Sequence, residues 1–162
     1  MKIFASTRYA SRLLLDMALH QDDSPLQASI LAAHTGISIK FLEQIFIPLK
    51  KAGIVSTVRG VAGGYYLSKD LEKITMGDIV RLMQGNINLV ACGRDPEVCD
   101  RSSECLTRDV WARLSKTIER ELDSITLSDL VKNADNLTDK GSGSIDYLDG
   151  QACHPVQAGK DH

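Results

Sequence analysis

A mainly α-helical fold with one small β-hairpin is predicted from changes in the spacing of apolar residues along the chain. In most of the first half, apolar residues recur every three or four positions, as on one face of a helix. This pattern stops between 54 and 68, where two short β-branched and aromatic runs flank a glycine-rich turn. Helical spacing returns at 74–85 and again from 106, where it predicts a long C-terminal helix behind the hairpin-bearing domain.

The composition is that of an ordered globular chain. Hydrophobic residues make up 43% and charged residues 25% of the 162 residues, enough for one hydrophobic core. The sequence has no apolar run near the roughly 18 residues that a membrane span needs. Asp16 and His20 interrupt the N-terminal apolar segment, which therefore predicts an amphipathic helix rather than a signal peptide. We expect a cytoplasmic protein, in which clustered thiols more often bind metal or carry out redox chemistry than form disulfides.

The net charge of −2 conceals a difference between the two halves. Residues 1–84 contain ten basic and seven acidic side chains, whereas residues 85–162 contain nine and fourteen. The first half is therefore mildly basic at +3, and the second half is acidic at −5. A basic surface on the first half is compatible with an anionic partner such as nucleic acid.

Three helices are predicted before the hairpin, at 7–20, 26–35 and 39–52. In the second, Leu26, Ile30 and Ala33 are expected on one apolar face. Gly36 suits the positive φ that often follows the end of a helix, and Ser38 can cap the next one. The pattern therefore predicts two helices joined by a tight turn.

A helix-turn-helix followed by a hairpin is the arrangement of a winged helix-turn-helix domain, with strands expected at 54–58 and 65–68. The second helix of such a pair reads the DNA major groove with its first turns. Glutamine there can pair with adenine, glutamate can accept from cytosine, and an arginine on the wing can enter a narrow minor groove. The same pattern is compatible with an ordinary helical domain and a solvated Glu43. The candidate DNA-binding residues are Ser38, Lys40, Glu43, Gln44 and Arg59.

The second half predicts a helix at 74–85, a second at 106–123 and a short helical turn in the segment ITLSDLV. The helix at 106–123 and the residues after it carry a narrow apolar stripe suited to packing against one partner helix, formed by Trp111, Leu114, Ile118, Leu122 and Ile125. From about 135 the chain is polar and rich in Gly and Ser, which predicts disorder. The expected organisation is a winged domain (1–84), a cysteine-rich loop (85–105), a dimerisation helix region (106–134) and a disordered tail (135–162).

Three of the four cysteines lie close together in the loop, at Cys92, Cys99 and Cys105. Three thiolates supply most of the ligands of a tetrahedral zinc site or of an iron–sulfur cluster. Zinc sites prefer cysteines separated by two to four residues, whereas the spacings here are six and five. The pattern therefore favours a cluster over zinc modestly, and three free thiols without metal remain an alternative.

The chain resembles the IscR/NsrR family of bacterial winged-helix transcription regulators, and most strongly its iron–sulfur branch. The matching stretches within about residues 1–137 are RYA, GIS…FLEQIF, LKKAGIVSTVRGVAGGYYLSKD, the cysteine loop, CLTRDVWARL and ITLSDLV. The resemblance implies a homodimer joined through the long helix and bound to palindromic promoter DNA. It also implies an iron–sulfur cluster, more often 2Fe–2S than 4Fe–4S, on Cys92, Cys99 and Cys105, and a role for Glu43 in sequence discrimination.

The sequence departs from that family at the fourth cluster ligand. Iron–sulfur members have a histidine three residues after the third cysteine, where this chain has Arg108, and nitric-oxide-sensing relatives use an acidic residue where it has Arg8. Arginine offers hydrogen-bond donors only and is a very poor ligand. The remaining candidates are an open or oxygen-ligated position, which we favour, a residue of the partner subunit's N-terminal helix, or a tail residue. The acidic candidates are Asp95, Glu97, Asp100, Glu104 and Asp109, and the tail candidates are Cys153 and His154.

These features predict a dimeric DNA-binding repressor that senses cluster status, iron, or oxidative or nitrosative stress. The alternative is a cluster-free thiol-based redox regulator of the same fold, like the cysteine-metabolism branch of the family. An enzyme is not expected, because the histidines are scattered and none pairs with a nucleophile in the sequence. These histidines are His20, His34, His154 and His162.

Overall fold

The computed structural model describes residues 2–93, 95–101 and 103–139. Its helices and strands follow the predicted order. They are α1 (Ala5–Leu19), α2 (Ala28–Thr35), α3 (Ile39–Lys51), β1 (Val55–Val58), β2 (Gly64–Leu67), α4 (Met76–Gln84), α5 (Arg108–Ser124) and α6 (Leu127–Asp139). The mainly α-helical fold with a small hairpin is therefore confirmed.

One hydrophobic core holds the winged domain together. It collects the apolar faces of α1, α2, α3 and α4, the start of the hairpin and one residue of α6. The apolar residues of α1 and α3 recur at helical spacing, and most of them are almost fully buried. The largest side chains with under 2% exposure include Leu13, Leu14, Leu31, Leu42, Ile45, Phe46, Leu49, Ile79 and Leu127.

The turn between α2 and α3 has the predicted chemistry. Gly36 ends α2 with φ of 66°, and its N–H donates to the Ala32 carbonyl oxygen at 3.0 Å. Ser38 caps α3, since its hydroxyl accepts from the Phe41 N–H at 3.4 Å. The two helices meet at 107°, a helix-turn-helix angle. Among the described helices, none is by itself long and apolar enough to cross a membrane, and α2 with α3 passes that test only as this bent pair.

The hairpin is tied to the start of α2 as well as to itself. Its two strands are antiparallel, with Val55 opposite Leu67 and Val58 opposite Gly64. Leu26 adds a third, single-residue edge. Its N–H donates to the Tyr65 carbonyl oxygen at 2.9 Å, and its own carbonyl oxygen accepts from the Tyr65 N–H at 2.8 Å. Gly64 makes this pairing possible, since a Cβ there would overlap the backbone of Leu26. The wing is thus continuous with the helix-turn-helix.

The second helix differs from its prediction in both start and orientation. It begins at Ala28, because the backbone of Leu26 is extended and paired with the hairpin. The expected apolar face of Leu26, Ile30 and Ala33 is wrong: Ile30 is 41% exposed, whereas Leu31 is fully buried. The helix is two residues shorter at its start than predicted and has only eight residues. So short a helix has too few apolar residues for their spacing to show which side faces the core.

The segment after α5 returns to the winged domain. A two-way backbone bridge joins Thr75 and Thr126, with the Met76 N–H donating to Ile125 at 2.9 Å and the Leu127 N–H donating to Ile74 at 2.8 Å. The predicted short helical turn is a thirteen-residue helix that continues to Asp139. The tail expected from 135 therefore begins with helix, and its residues 140–162 lie outside the described residues.

The close approach at Gly64 generates a stability prediction. Gly64→Ala places a methyl group against the Leu26 carbonyl, and overpacking of this kind costs about 1–3 kcal/mol. We expect the free energy of unfolding in urea to fall by that amount. Val61→Ala, in the turn just before Gly64 at a residue 99% exposed, is the matched control and should change stability by less than about 0.5 kcal/mol. Equal stability of the Gly64 variant and wild type would contradict the account of the wing.

Candidate functional site

The outer face of α3 carries the predicted DNA-binding residues. Ser38, Lys40, Glu43 and Gln44 are all exposed, whereas the opposite face of the helix is buried in the core. The first turns of α3 therefore stand free, as a recognition helix requires.

Two further exposed residues on α3 are apolar and were missed by sequence reasoning. Ile39 is 46% exposed and Ile47 is 64% exposed. They lie four residues before and four residues after Glu43, so the three share one stripe of the helix. Apolar side chains at such positions suit contact with a thymine methyl group. Their spacing from Glu43 could have identified them in the sequence. They were missed because an isoleucine in a helix is equally compatible with a buried position in the core.

The recognition helix and the wing are held together by an aromatic pair. The Phe46 and Tyr65 rings stack with centroids 3.8 Å apart and planes 7° from parallel, and the Lys50 ammonium lies 5.9 Å from the Tyr65 centroid. Burial raises the pKa of the Tyr65 hydroxyl, and the nearby Glu43 carboxylate raises it further. Glu43 is therefore close enough to Tyr65 of the wing for its negative charge to act on that side chain.

Arg59 directly follows the first wing strand and lies at the wing tip, as the sequence predicts. It is exposed and directly precedes Gly60, whose φ of 119° starts a tight turn closed by the Gly63 N–H on the Gly60 carbonyl at 3.0 Å. Gln27, at the start of α2, donates its side-chain amide to the Val61 carbonyl at 3.2 Å. The wing tip is thus anchored while Arg59 remains free.

The three clustered cysteines lie between α4 and α5 as half-buried free thiols. The segment is fixed at its start, where the Leu89 N–H donates to the Ser115 hydroxyl of α5 at 3.0 Å. Ser115 itself is buried and donates to the Trp111 carbonyl at 2.9 Å. The backbone leading to Cys92 is therefore attached to the side of α5.

The start of α5 organises the other end of the segment. Arg108 donates its Nε–H to the Cys92 carbonyl at 3.0 Å, so it braces the backbone of the first cysteine. The Cys105 sulfur lies 3.3 Å from the Thr107 hydroxyl. Hydrogen bonds from Thr107 lower the pKa of the Cys105 thiol, and the charge of Arg108 lowers it further. This environment favours the thiolate, the form that binds metal.

The three sulfurs do not form a compact site for a single ion. Within the described part of the chain, only Asp16, His20 and His34 form a set of three or more candidate ligands whose atoms all lie within 4.8 Å of one another. A cluster with several irons accepts more widely separated sulfurs, because different irons take different cysteines. Three free thiols on one segment, with thiolate favoured at Cys105, fit such a group. Cys153 and His154 lie outside the described residues.

A charged network joins α4 to α5 beside this segment. Arg81 contacts the carboxylates of Asp78 at 3.1 Å, Glu119 at 3.4 Å and Asp123 at 2.6 Å. Hydrogen bonding to Asp123 raises the pKa of the guanidinium, so Arg81 stays charged. Glycine at position 77 provides the space that the Asp123 carboxylate occupies, because a Cβ there would overlap that carboxylate. The winged domain and α5 are thereby held in one arrangement.

Comparison with known proteins agrees with this geometry. The profile of a family described as Rrf2, an iron-dependent transcriptional regulator, matches residues 3–133. The chain is 38% identical over 137 residues to the HTH-type transcriptional regulator IscR of Yersinia pseudotuberculosis, covering 85% of this chain and 83% of that protein.

Two solved structures are equally similar in fold. IscR from T. potens has a TM-score of 0.68 and 33% identity, over 85% of this chain and 90% of that one. CymR, described as the global cysteine regulator of B. subtilis, has a TM-score of 0.68 and 32% identity, over 82% of this chain and 98% of that one.

The fold, the free recognition helix and these similarities define a DNA-binding transcriptional regulator, not an enzyme. The chain belongs to the Rrf2 family. The predicted resemblance to IscR-type regulators is confirmed.

Proposed function

We propose that this regulator is a homodimeric repressor that binds promoter DNA and senses the state of an iron–sulfur cluster held by Cys92, Cys99 and Cys105. The observation that carries the proposal is the placement of three free thiols on the segment that leads into α5. When bound, the cluster supplies a group that oxygen, nitric oxide or iron shortage can alter. The three thiolates hold it, and the pKa of Cys105 is already lowered.

The fourth ligand position is proposed to be open or filled by an oxygen atom. Arg108, at the place of the family histidine, braces the Cys92 backbone and has no lone pair to offer. Asp95 is partly committed, because its carboxylate accepts the Glu97 N–H at 3.0 Å. A cluster with one exchangeable position responds readily to small oxidants, which suits a sensor.

Dimerisation is proposed to use the predicted stripe of α5. Its first two members, Trp111 and Leu114, are 43% and 42% exposed, and the adjacent Val110 is 43% exposed. Neighbouring large apolar side chains on an otherwise charged helix favour packing against a second copy of that helix. A symmetric dimer would present two recognition helices to the two halves of a palindromic site.

DNA recognition is proposed to combine four side chains of the α3 segment with one of the wing. Gln44 and Glu43 would read base edges, Lys40 and Ser38 would contact the backbone, and Arg59 would enter the minor groove. Glu43 sets the discrimination, because its charge repels phosphates and is unpaired with any cation among the described residues.

The cysteines alone also support a second candidate, a cluster-free thiol regulator. The fold is as similar to CymR as to IscR, and the sulfurs do not converge on a single point. In that case oxidation of the thiols would replace cluster chemistry as the signal. Metal content separates the two candidates.

The cluster proposal predicts iron and acid-labile sulfide in anaerobically purified protein, together with visible absorption. Cys105→Ala should lose most of the iron, because two thiolates hold a cluster poorly. Cys153→Ala is the matched control and should keep wild-type iron and sulfide, since the proposed ligands do not include the tail. Wild-type protein that stays colourless after reconstitution with iron and sulfide would exclude the cluster and leave the thiol regulator.

The dimer proposal predicts that Leu114→Glu is monomeric. An unpaired charge in a buried interface costs about 3–5 kcal/mol, so the dimer dissociation constant should rise by about 100-fold or more. Lys116→Glu, at an exposed position off the stripe, is the control and should stay dimeric. Sedimentation velocity at micromolar concentration measures both. A dimeric Leu114 variant would place the interface elsewhere.

The recognition proposal predicts that Glu43→Ala broadens the range of DNA sites bound by the cluster-free protein. Removing the charge should strengthen binding to disfavoured sites by about tenfold, the size of one mismatched base pair. Lys40→Ala is the contrasting control and should weaken all sites uniformly, as loss of a phosphate contact does. Binding to a randomised site library measures both. Unchanged site preference in the Glu43 variant would remove Glu43 from the specificity set.

A further inference from the structure

A second ligand cluster lies away from the cysteines, where the C-terminal end of α1 meets the end of α2. Asp16 lies in the last turn of α1, His20 is the residue directly after that helix, and His34 lies in the last turn of α2. The ligand atoms of all three lie within 4.8 Å of one another. We propose that these three side chains form a binding site for one divalent transition-metal ion of the Zn²⁺ class.

The buried carboxylate at the centre of this cluster lacks a full set of partners. Asp16 is only 3% exposed, and its Oδ1 accepts no hydrogen bond from any described residue. The His20 Nδ1 is 3.3 Å from that oxygen, but its hydrogen-bonding geometry is directed to the Asp16 backbone carbonyl at 2.9 Å. A buried carboxylate oxygen without a donor is costly, and a cation removes that cost.

The spacing of the ligand atoms matches a tetrahedral ion. Bonds of about 2.0–2.1 Å from zinc to nitrogen and oxygen place neighbouring ligand atoms about 3.3 Å apart. The His20 Nδ1 is 3.3 Å from Asp16 Oδ1, and the His34 Nδ1 is 3.2 Å from Asp16 Oδ2. These two distances end on different carboxylate oxygens, and the three ligand atoms lie within 4.8 Å of one another, so modest side-chain rotations would bring them to one ion.

The two imidazoles leave one side of the site open to solvent. Their centroids are 4.7 Å apart with planes tilted by 38°, and their side chains are 36% and 31% exposed for His20 and His34. A water molecule can therefore complete the coordination. Asp22 and Asp23, in the turn directly after His20, add negative charge to this end of α1.

The ligand set selects the class of ion. Two imidazoles and one carboxylate suit Zn²⁺ and its neighbours in the first transition row, whereas Mg²⁺ and Ca²⁺ prefer oxygen ligands throughout. Binding through Nδ1 requires that nitrogen to be unprotonated, so each imidazole would bind as the neutral tautomer that carries its proton on Nε2. His20 would exchange its hydrogen bond to the Asp16 carbonyl for the bond to the metal.

The position of the site gives it a structural consequence. An ion there joins α1 to the last turn of α2, directly before the turn into the recognition helix α3. It would therefore restrict changes in the angle between α2 and α3. This inference does not depend on the cluster proposal, because none of its ligands lies in the cysteine segment.

The test is a Zn²⁺ titration of the full-length protein by calorimetry, in wild type and in a variant with all four cysteines replaced by serine. The serine variant should still bind one equivalent of Zn²⁺ per chain. With Co²⁺ as a probe, it should show tetrahedral d–d bands without the strong near-ultraviolet absorption of thiolate ligation. Zn²⁺ should also raise the Tm, because it binds the folded chain.

His34→Gln is the decisive variant, because this half-exposed side chain can be replaced with little risk to the fold. It should lose one equivalent of Zn²⁺ in both backgrounds, whereas His154→Gln, a histidine of the tail, should keep it. Asp16→Asn should behave like His34→Gln if it folds. A serine variant that binds no Zn²⁺, or a His34→Gln variant that binds as much as its parent, would overturn the proposal and leave a purely hydrogen-bonded cluster.

Discussion

The backbone pairing between Leu26 and Tyr65 is the constraint on which the DNA-binding half of the molecule depends. It turns a two-stranded hairpin, which would be marginal alone, into an extension of the helix-turn-helix. Tyr65 also stacks on Phe46 of the recognition helix, so one residue fixes the wing to both α2 and α3. Because Gly64 admits only hydrogen at its α-carbon on that side, the sequence at the root of the wing is narrowly restricted.

The cysteine segment is likewise held by a small number of contacts. It is attached to α5 by Ser115 near its start and by Arg108 beside Cys92, while its thiols remain partly accessible. A group bound by those thiols would therefore act on a helix that carries uncovered apolar residues at Trp111 and Leu114. Under the proposed function, the sensing group and the dimer contact share one element, and a signal has a short physical path between them.

Local chemistry in the sequence predicted most of the fold, and tertiary pairing accounts for the rest. Gly36, Ser38 and the glycine-rich wing turn act within a few residues, so the helix-turn-helix and hairpin were predictable. The inward face of α2 was not, because Leu26 leaves the helix to pair with a residue 39 positions later in the chain. Asp16 and His34 likewise meet only because α1 packs on α2, and their separation in the sequence does not predict this contact. Helical propensity did not reveal that α6 continues for thirteen residues.

The bridge between Thr75 and Thr126 closes the chain from 75 to 126 into a ring. The cysteine segment and α5 both lie within this ring, and Arg81 clamps it a second time through Asp123. A change in the shape of the segment would therefore act between two fixed points of the chain. Under the proposed function, such a change would fall on the N-terminal turns of α5, which lie next to the segment and are held to it by Arg108.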